Sequence, residues 1–328
     1  MEPDAPPLVT LLLLAYNQRD FVGQAVAGAL AQTYPNLEIV ISDDASTDGT
    51  FAQMQQAVDG YTGPHRVVLN RNPHNLGIGG NLNRMVDLSH GELLFIAAGD
   101  DISKPQRCER VVKEWLASDK KLDLISTALT DMDETGGLHD AIAPTELSTY
   151  KNAADWLMRP PHVIGAAQAW TRRVYDRFGP LPADTMGEDM LMVFRAILGG
   201  GAITLLEPLV DYRRGGISRR ERTLSAQDVT RRLLKNNRNA LAELPQLLSD
   251  AKQAGQLEAV QKPLTERLAR EVLIRDIFSA RSVGEKVRLA FNANELRWTV
   301  RVRLLVYAAF PWLLWPWFAI KRLLKKKS

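Results

Sequence analysis

The chain contains a single cysteine, Cys108, among its 328 residues. One thiol excludes an internal disulfide and a cysteine metal cluster, and it suits a reducing cytosol. Histidine is also scarce, and its spacing is not typical of a zinc site. We therefore expect structural or surface roles for the five histidines, which are His65, His74, His90, His139 and His162.

A strong net charge is missing as well, because 41 Lys and Arg residues nearly balance 38 Asp and Glu residues. The basic residues are unevenly placed, with nine of them against two acidic residues in segment 213–238. Basic side chains there could hold a donor diphosphate or a lipid-linked phosphate, and a solvated helix face is the alternative. No aromatic stacking pattern accompanies them, so we expect no nucleic acid partner.

Two familiar nucleotide motifs are absent. Gly77, Gly79 and Gly80 do not form Gly-x-Gly-x-x-Gly directly after a strand, which argues against an NAD-dependent oxidoreductase. A P-loop, which would indicate a kinase, is also missing. The first apolar run, 8–15, is short and follows acidic residues, so it predicts a strand rather than a signal peptide.

Apolar runs alternate with helical patterns from Leu8 to about Thr130. This alternation predicts an α/β fold with a doubly wound, mostly parallel sheet. The length allows one large domain and an appendage. We expect the α/β domain at 1–220, a helical region at 221–295 and a hydrophobic, basic tail at 296–328.

Two predicted strands are followed by carboxylate pairs, Asp43 with Asp44 and Asp100 with Asp101. Ligands of open α/β sheets bind at the carboxyl ends of the strands, so both pairs are expected at one edge. Two acidic pairs repel each other unless a cation or hydrogen-bond donors separate them. The pattern predicts a metal, a donor-rich ligand or both. Helix capping just after Asp44 is the simpler alternative.

A nucleoside diphosphate would satisfy these groups. Asp44 could accept the imide N–H of a uracil ring beside the Ala-Tyr-Asn segment 15–17. Asp100 and Asp101 could bind a diphosphate only through an oxygen-coordinated divalent cation, Mn²⁺ or Mg²⁺. Such a cation acts as a Lewis acid for a departing diphosphate.

A third acidic pair, Glu188 and Asp189, opens a predicted helix that runs from Gly187 to Leu198. A carboxylate held at a helix start could act as a general base on an acceptor hydroxyl. Asp189 is the better candidate, and Glu188 is the second. Dipole pairing in the first helical turn is the alternative for both.

The C-terminal segment has a composition typical of membrane contact. Seventeen uncharged residues, Leu304 to Ile320, are rich in Trp and flanked by basic residues. A spanning helix needs about 20 apolar residues, and Pro311 and Pro316 interrupt this run. We therefore expect a helix in the membrane interface or a shallow re-entrant element, with anionic lipid as partner. Packing of the tail on the α/β domain is the alternative.

Six segments, in order, resemble the family-2 glycosyltransferases, whose fold is called GT-A. The resemblance covers about Leu8 to Ser218 and implies a GT-A sheet with a helical, membrane-associating C-terminal region. The segments are VTLLLLAYN, QTYPNLEIVISDDASTDGT, NLGIGGNLN, GELLFIAAGDDISKP, GEDMLMVFR and PLVDYRRGGIS.

The resemblance also implies roles for individual residues and an inverting, metal-dependent transfer. Asp189 would deprotonate an acceptor hydroxyl, which attacks the anomeric carbon in one displacement. Asp100 and Asp101 would form the metal and ribose-diphosphate site. The residues implied in donor binding are Ala15, Tyr16, Asn17, Asp44, Asn83 and Asp100.

Three departures from the family pattern stand out. Ala98 occupies the position where many members begin an Asp-x-Asp signature, and Leu82 replaces an Arg before Asn83. Arg84 could substitute for that cation. The Gln-x-x-Arg-Trp motif and the multiple spanning helices of processive synthases are absent, which indicates transfer of single residues.

We therefore expect an inverting glycosyltransferase that uses a nucleotide-diphosphate sugar, with a UDP-sugar first. The acceptor would be a hydroxyl of a glycan or lipid-linked acceptor in surface polysaccharide synthesis. The location would be the cytoplasmic face of the inner membrane, with peripheral or monotopic attachment. A catalytically silent nucleotide-sugar sensor or membrane scaffold is the alternative. The presence of all four implied site aspartates argues against it, and these are Asp44, Asp100, Asp101 and Asp189.

Overall fold

The computed structural model describes residues 5–214 and 225–315. The chain divides into two compact units. The first comprises Met1–Ser218 and Asp250–Gln256, and the second comprises Arg219–Ser249 and Leu257–Ser328. The three-part division expected from the sequence stays a prediction.

Strands and helices alternate through the first half of the first unit, as the apolar pattern predicts. The described strands are β1 Val9–Ala15, β2 Leu37–Asp43, β3 Arg66–Arg71, β4 Leu93–Ala98, β5 Ile102–Ser103, β6 Leu124–Met132, β7 Leu138–Ile142, β8 Gln168–Thr171 and β9 Ala202–Arg213. The helices between them are α1 Arg19–Leu30, α2 Thr50–Val58, α3 Gly77–Asp87, α4 Arg107–Ala117, α5 Ala153–Met158, α6 Arg172–Phe178 and α7 Glu188–Leu198.

The described strands form one sheet in the order β3-β2-β1-β4-β8-β6-β9-β5, and β7 pairs with β6. Strands β1, β2, β3 and β4 are mutually parallel, as are β6 and β9. Strand β8 runs antiparallel to both of its neighbours, β4 and β6. The predicted α/β architecture with a largely parallel sheet is confirmed, and the antiparallel strands are additions that the sequence pattern did not predict.

The central strands are apolar on both faces because helices cover the sheet on both sides. In the core, Leu11 and Leu13 of β1, Ile39 of β2 and Phe95 of β4 have no exposed surface. Trp115 of α4 packs into the same cluster. These contacts fix the strands rigidly below the edge at which the polar segments emerge.

The register of the parallel strands aligns their carboxyl ends. Ala15 pairs with Asp43, Leu14 with Ala98, and Asp43 with Arg71. The loops that follow β1, β2 and β4 therefore begin at one level of the sheet. The predicted meeting of the two carboxylate-bearing strand ends at one edge is confirmed.

The second unit is helical, as predicted. Its apolar cluster includes Ile274, Ile277 and Leu304. Helix α8 ends in the first unit. The helices are α8 Ala226–Gln253, α9 Leu257–Ser279, α10 Val283–Asn292 and α11 Trp298–Ala309.

The structure describes only part of the predicted membrane-contact tail, up to residue 315. Among the described residues, no helix combines the length and apolar character that crossing a bilayer requires. The tail begins with α11 and a 3-10 turn over Pro311–Leu314. The basic residues between positions 321 and 327, and residues 215–224 of the basic segment 213–238, lie outside the described residues.

Two glycines of α1 allow a matched test of how closely α1 packs against β5, the short strand that follows the second carboxylate pair. A Cβ on Gly28 would lie 3.0 Å from both the backbone oxygen of Ser103 and Cγ2 of Ile102 in β5, whereas a Cβ on Gly23 meets nothing within 4 Å. Gly23→Ala should raise the free energy of unfolding by about 0.5–1 kcal/mol through helix propensity. Gly28→Ala should lower it by about 1 kcal/mol or more through overpacking. Chemical denaturation measures both, and equal stabilisation by the two alanines would contradict the packing.

Candidate active site

The carboxylate pair at the end of β2 is held by an ion pair at Asp43 and by hydrogen bonds at Asp44. Asp43 is fully buried, and Arg71 Nε lies 3.2 Å from its Oδ2. Asp44 is 4% exposed and accepts hydrogen bonds from Asn72 Nδ2 at 2.9 Å, Leu76 N at 2.8 Å and Gly77 N at 3.0 Å. Asp44 therefore anchors the start of α3, where backbone N–H groups lack partners within the helix.

The loop after β1 is braced against the loop after β2. Asn17 adopts a φ of 51°, donates its backbone N–H to Ser46 Oγ at 2.8 Å, and accepts from Thr47 N at 3.0 Å through Oδ1. Ala15 is buried, and its carbonyl accepts from Asp44 N at 3.0 Å. Tyr16 is 48% exposed, so its ring is presented at the rim of this edge.

The second carboxylate pair lies just beyond β4. Asp101 is 4% exposed, and its Oδ1 accepts from Arg213 N at 2.8 Å. Burial, followed by the charge of Asp100, raises the pKa of Asp101 to about 8. Asp100 is only partly buried. Burial raises the pKa of Asp100 too, against the charge of Arg213 and a hydrogen bond from Gln18.

Arg213 at the end of β9 is a buried cation beside this pair. Its Nε donates to Asp100 O at 3.0 Å, its guanidinium donates to Gln24 Oε1 at 2.8 Å, and the same group lies 4.4 Å from the ring centre of Phe21. Arg213 belongs to the basic segment 213–238, for which the sequence predicts either phosphate binding or exposure to solvent. The structure instead buries it among protein groups.

Arg107 is a second buried cation near Asp101, with no exposed surface. It donates to Ile96 O at 2.8 Å and to Ser103 Oγ at 2.9 Å. Burial lowers the pKa of Arg107 to about 10, against the opposing influence of Asp101. Its guanidinium also donates to the backbone oxygen of Gln168 at 3.2 Å, which links the second carboxylate pair to β8.

The described residues contain no group of three or more His, Cys, Asp or Glu side chains that could hold a metal ion. Mg²⁺ and Mn²⁺ at phosphate sites need fewer protein ligands, since one or two carboxylates are completed by water and substrate phosphates. The adjacent Asp100 and Asp101 fit that kind of site and do not fit an all-protein cage.

The first turn of α7 carries the third acidic pair. Asp189 is partly buried, accepts from Met190 N at 2.7 Å through Oδ1, and accepts from Gln168 Nε2 at 3.3 Å through its carbonyl. Burial raises the pKa of Asp189 to about 6, while the Met190 N–H and the charge of His162 oppose the rise. Glu188 lies against Gly165, where a Cβ would approach its Oε1 to 2.6 Å.

Asn83 contacts the segment that leads into α7. Its Nδ2 donates to Leu181 O at 2.8 Å, and its Oδ1 accepts from Leu181 N and from Tyr175 Oη, each at 2.9 Å. Earlier in α3, a Cβ on Gly79 would lie 2.3 Å from Pro182 O. Helix α3 therefore packs tightly on segment 180–187, and its glycines permit that approach.

The structure brings most predicted site residues into connected positions. Ala15, Asp44 and the second pair share the sheet edge. Asp189 is connected to that edge by two routes, through Gln168 of β8 and through α3. Sequence reasoning missed Arg107 and Gln168 because each is an isolated polar residue in an otherwise ordinary segment, and no local pattern marks them.

Comparison with known proteins adds a family match. A sequence model described as glycosyl transferase family 2 matches residues 10–177. The succinoglycan biosynthesis protein ExoO of Rhizobium meliloti is 27% identical over 230 residues, which are 66% of this chain and 64% of the relative. An Escherichia coli relative, UDP-Glc:alpha-D-GlcNAc-diphosphoundecaprenol beta-1,3-glucosyltransferase WfaP, is 33% identical over 94 residues, 29% of this chain and 36% of the relative. The chain thus spans less than two thirds of the length of these curated relatives.

A solved structure supports the same fold. The mannosyltransferase PcManGT from Pyrobaculum calidifontis, in complex with GDP-Man and Mn²⁺, superposes with a TM-score of 0.53. The alignment covers 94% of this chain and 87% of the mannosyltransferase at 18% identity. At that identity the likeness establishes the architecture of the sheet and its helices.

Proposed function

The chain belongs to glycosyl transferase family 2, and from that premise we propose that it transfers one sugar from a nucleotide-diphosphate sugar to an acceptor hydroxyl with inversion. The observation that carries the proposal is the shared sheet edge, where Asp44 and Asp100 lie beyond aligned strands. Asp189 is connected to that edge through β8 and α3. These are the parts that a donor site and a general base require.

The nucleoside would lie against the loops after β1 and β2. Tyr16 offers an exposed aromatic ring there, and Ala15 and Asn17 shape the backbone beside it. Asp44 keeps acceptor capacity, since an ionised carboxylate has about four lone-pair sites and three donors occupy it from the protein side. In this proposal, an imide N–H of uracil would donate to the remaining lone pair. Asn83 would act indirectly, through its bonds to Leu181.

Asp100 would be the principal metal ligand, supported by Asp101. Asp100 is the more exposed of the two, while Asp101 accepts a hydrogen bond from the Arg213 backbone. A divalent cation bound there would neutralise charge on a departing diphosphate. The positive charge of Arg213 opposes the rise that burial causes in the pKa values of Asp100 and Asp101.

Asp189 would be the general base, with its oxygen held at the helix start by the Met190 N–H. Its raised pKa lies closer to neutrality than that of an ordinary carboxylate, which favours proton transfer near working pH. The base removes the hydroxyl proton as the acceptor oxygen bonds to the anomeric carbon and the diphosphate leaves. Glu188, beside it, would help to orient the acceptor.

The donor site is tested by calorimetric titration of the purified protein with UDP, GDP, dTDP and CMP, each with and without Mn²⁺. We expect one diphosphate to bind at least ten-fold more tightly with the metal, and Asp100→Asn to remove that gain because a charged ligand is lost. Asp59→Asn, a change at an exposed carboxylate after α2, is the matched control. Metal-independent binding by every nucleotide would contradict the metal assignment.

The base is tested by the pH dependence of transfer. The kcat/KM should fall below about pH 6, because Asp189 must be unprotonated to accept a proton and burial sets its pKa there. Asp189→Asn should lower kcat by roughly 10²–10⁴-fold while donor binding persists. His162→Gln should move the acid limb upward, since the positive charge that lowers the pKa of Asp189 is removed. Unchanged turnover in Asp189→Asn would contradict the base assignment, whereas a wild-type protein that binds the donor without turnover would favour the catalytically silent sensor.

We further propose that the second unit contacts an anionic membrane surface and that the acceptor is lipid-linked, as the name of the E. coli relative specifies for that enzyme. Large apolar side chains stand exposed there: Phe291 at 72%, Trp298 at 68%, Trp312 at 67% and Trp315 at 73%. Exposed aromatics near basic side chains are typical of interfacial membrane binding.

Vesicle sedimentation tests this surface. Trp298→Ala/Trp312→Ala should weaken binding to vesicles containing phosphatidylglycerol about ten-fold, because aromatic anchors in the interface are lost. Leu138→Ala, which removes a side chain 56% exposed in the first unit, should have little effect. Equal vesicle binding by the wild type, the double Trp variant and Leu138→Ala would contradict the proposed membrane surface.

A further inference from the structure

A short segment that contains the last residues of the long helix α8 completes the first unit. Residues Asp250–Gln256 belong to that unit, although the chain on either side belongs to the second. Gln256 Oε1 accepts from Ala153 N of α5 at 2.8 Å, and Gln253 donates to Arg177 O at the end of α6. The segment therefore touches the helices that flank α7.

The strongest contact of this segment is a buried ion pair with α7 itself. Arg195 Nε lies 2.8 Å from Asp250 Oδ2, and the two side chains are 0% and 1% exposed. Removing two charges from water is costly, and breaking such a pair leaves an uncompensated buried charge. A buried pair is weak evidence for stability, and in some proteins its role is to fix one geometry.

Arg195 uses its remaining donors on the chain that leads toward the candidate base. It donates to Gly179 O at 2.7 Å and to Phe178 O at 3.4 Å, where α6 ends. From there segment 180–187 runs directly to Asp189, and Asn83 holds that segment from the other side. Arg195 also lies six positions after Asp189 on the same helix, about 9 Å along its axis at 1.5 Å per residue.

We propose that Asp250 is a positioning residue for glycosyl transfer. By fixing the Arg195 guanidinium, it fixes α7 and the end of α6, and through them the height at which Asp189 meets the acceptor hydroxyl. This inference rests on the proposed role of Asp189 as the base. It makes a residue of the C-terminal helical region part of the catalytic arrangement without any contact to substrate.

The test compares three variants in the full-length protein: Asp250→Asn, Asp250→Glu and the double variant Arg195→Met/Asp250→Leu. Asp250→Asn should lower kcat at least ten-fold with donor KM within two-fold of wild type, and Asp250→Glu should recover part of the loss. The double variant removes both charges, a change that buried pairs often tolerate in folding. The double variant should have the melting temperature of the wild type but a lower kcat. Glu207→Gln, which alters the partly exposed Arg110–Glu207 pair, is the control.

Hydrogen exchange of the backbone amides at the start of α7 gives a readout that needs no turnover. Faster exchange at 188–192 in folded Asp250→Asn, and in the double variant, would support the positioning role. Wild-type kcat together with wild-type exchange in either folded variant would overturn it. A wild-type protein that transfers no sugar would refute the proposed function, and the exchange data alone would then decide whether Asp250 fixes α7.

Discussion

Two adjacent carboxyl groups at the buried edge of a sheet have raised pKa values, and nearby positive charge and hydrogen-bond donors oppose that rise. Here Arg107 and Arg213 supply that charge at Asp100 and Asp101. Strand β9 pairs antiparallel with β5, so that its last residue donates a backbone N–H to Asp101 and a guanidinium N–H to the backbone of Asp100. The second carboxylate pair of the proposed donor site therefore has its full set of protein contacts only when Arg213 is in place.

Asp44, which lies at the same edge of the sheet, has a different structural role. Asp44 satisfies the first N–H groups of α3, and the glycines of that helix let segment 180–187 approach closely. Asn83 then binds the same segment through its amide. The proposed donor edge and the segment that leads to the candidate base are therefore both in contact with α3, which connects Asp44 to the start of α7.

The features that the sequence predicted are those carried by local patterns. Buried apolar runs identified the parallel strands β1, β2, β3 and β4 as well as β6, and carboxylates with turn residues marked the ends of β2 and β4. Strands of two and four residues, such as β5 and β8, give no periodic signal and were missed. Buried ion pairs were missed for a related reason. Asp250 and Arg195 are 55 positions apart, and neither side chain interrupts the helical pattern of its own segment.

Whether a carboxylate at a helix start suits capping or proton abstraction depends on what surrounds it, and Asp48 and Asp189 lie in contrasting environments. Asp48, before α2, accepts from Thr50 N at 2.9 Å, Thr50 Oγ1 at 2.6 Å and Arg19 N at 3.1 Å. Slight burial raises the pKa of Asp48, but these donors outweigh it and leave the pKa below its ordinary value. At Asp189 burial is the larger influence, and the pKa rises to about 6. A carboxylate stabilised by three donors is a weak base, whereas one that burial destabilises takes up a proton readily. The capping alternative therefore fits Asp48, and the chemistry of proton abstraction fits Asp189.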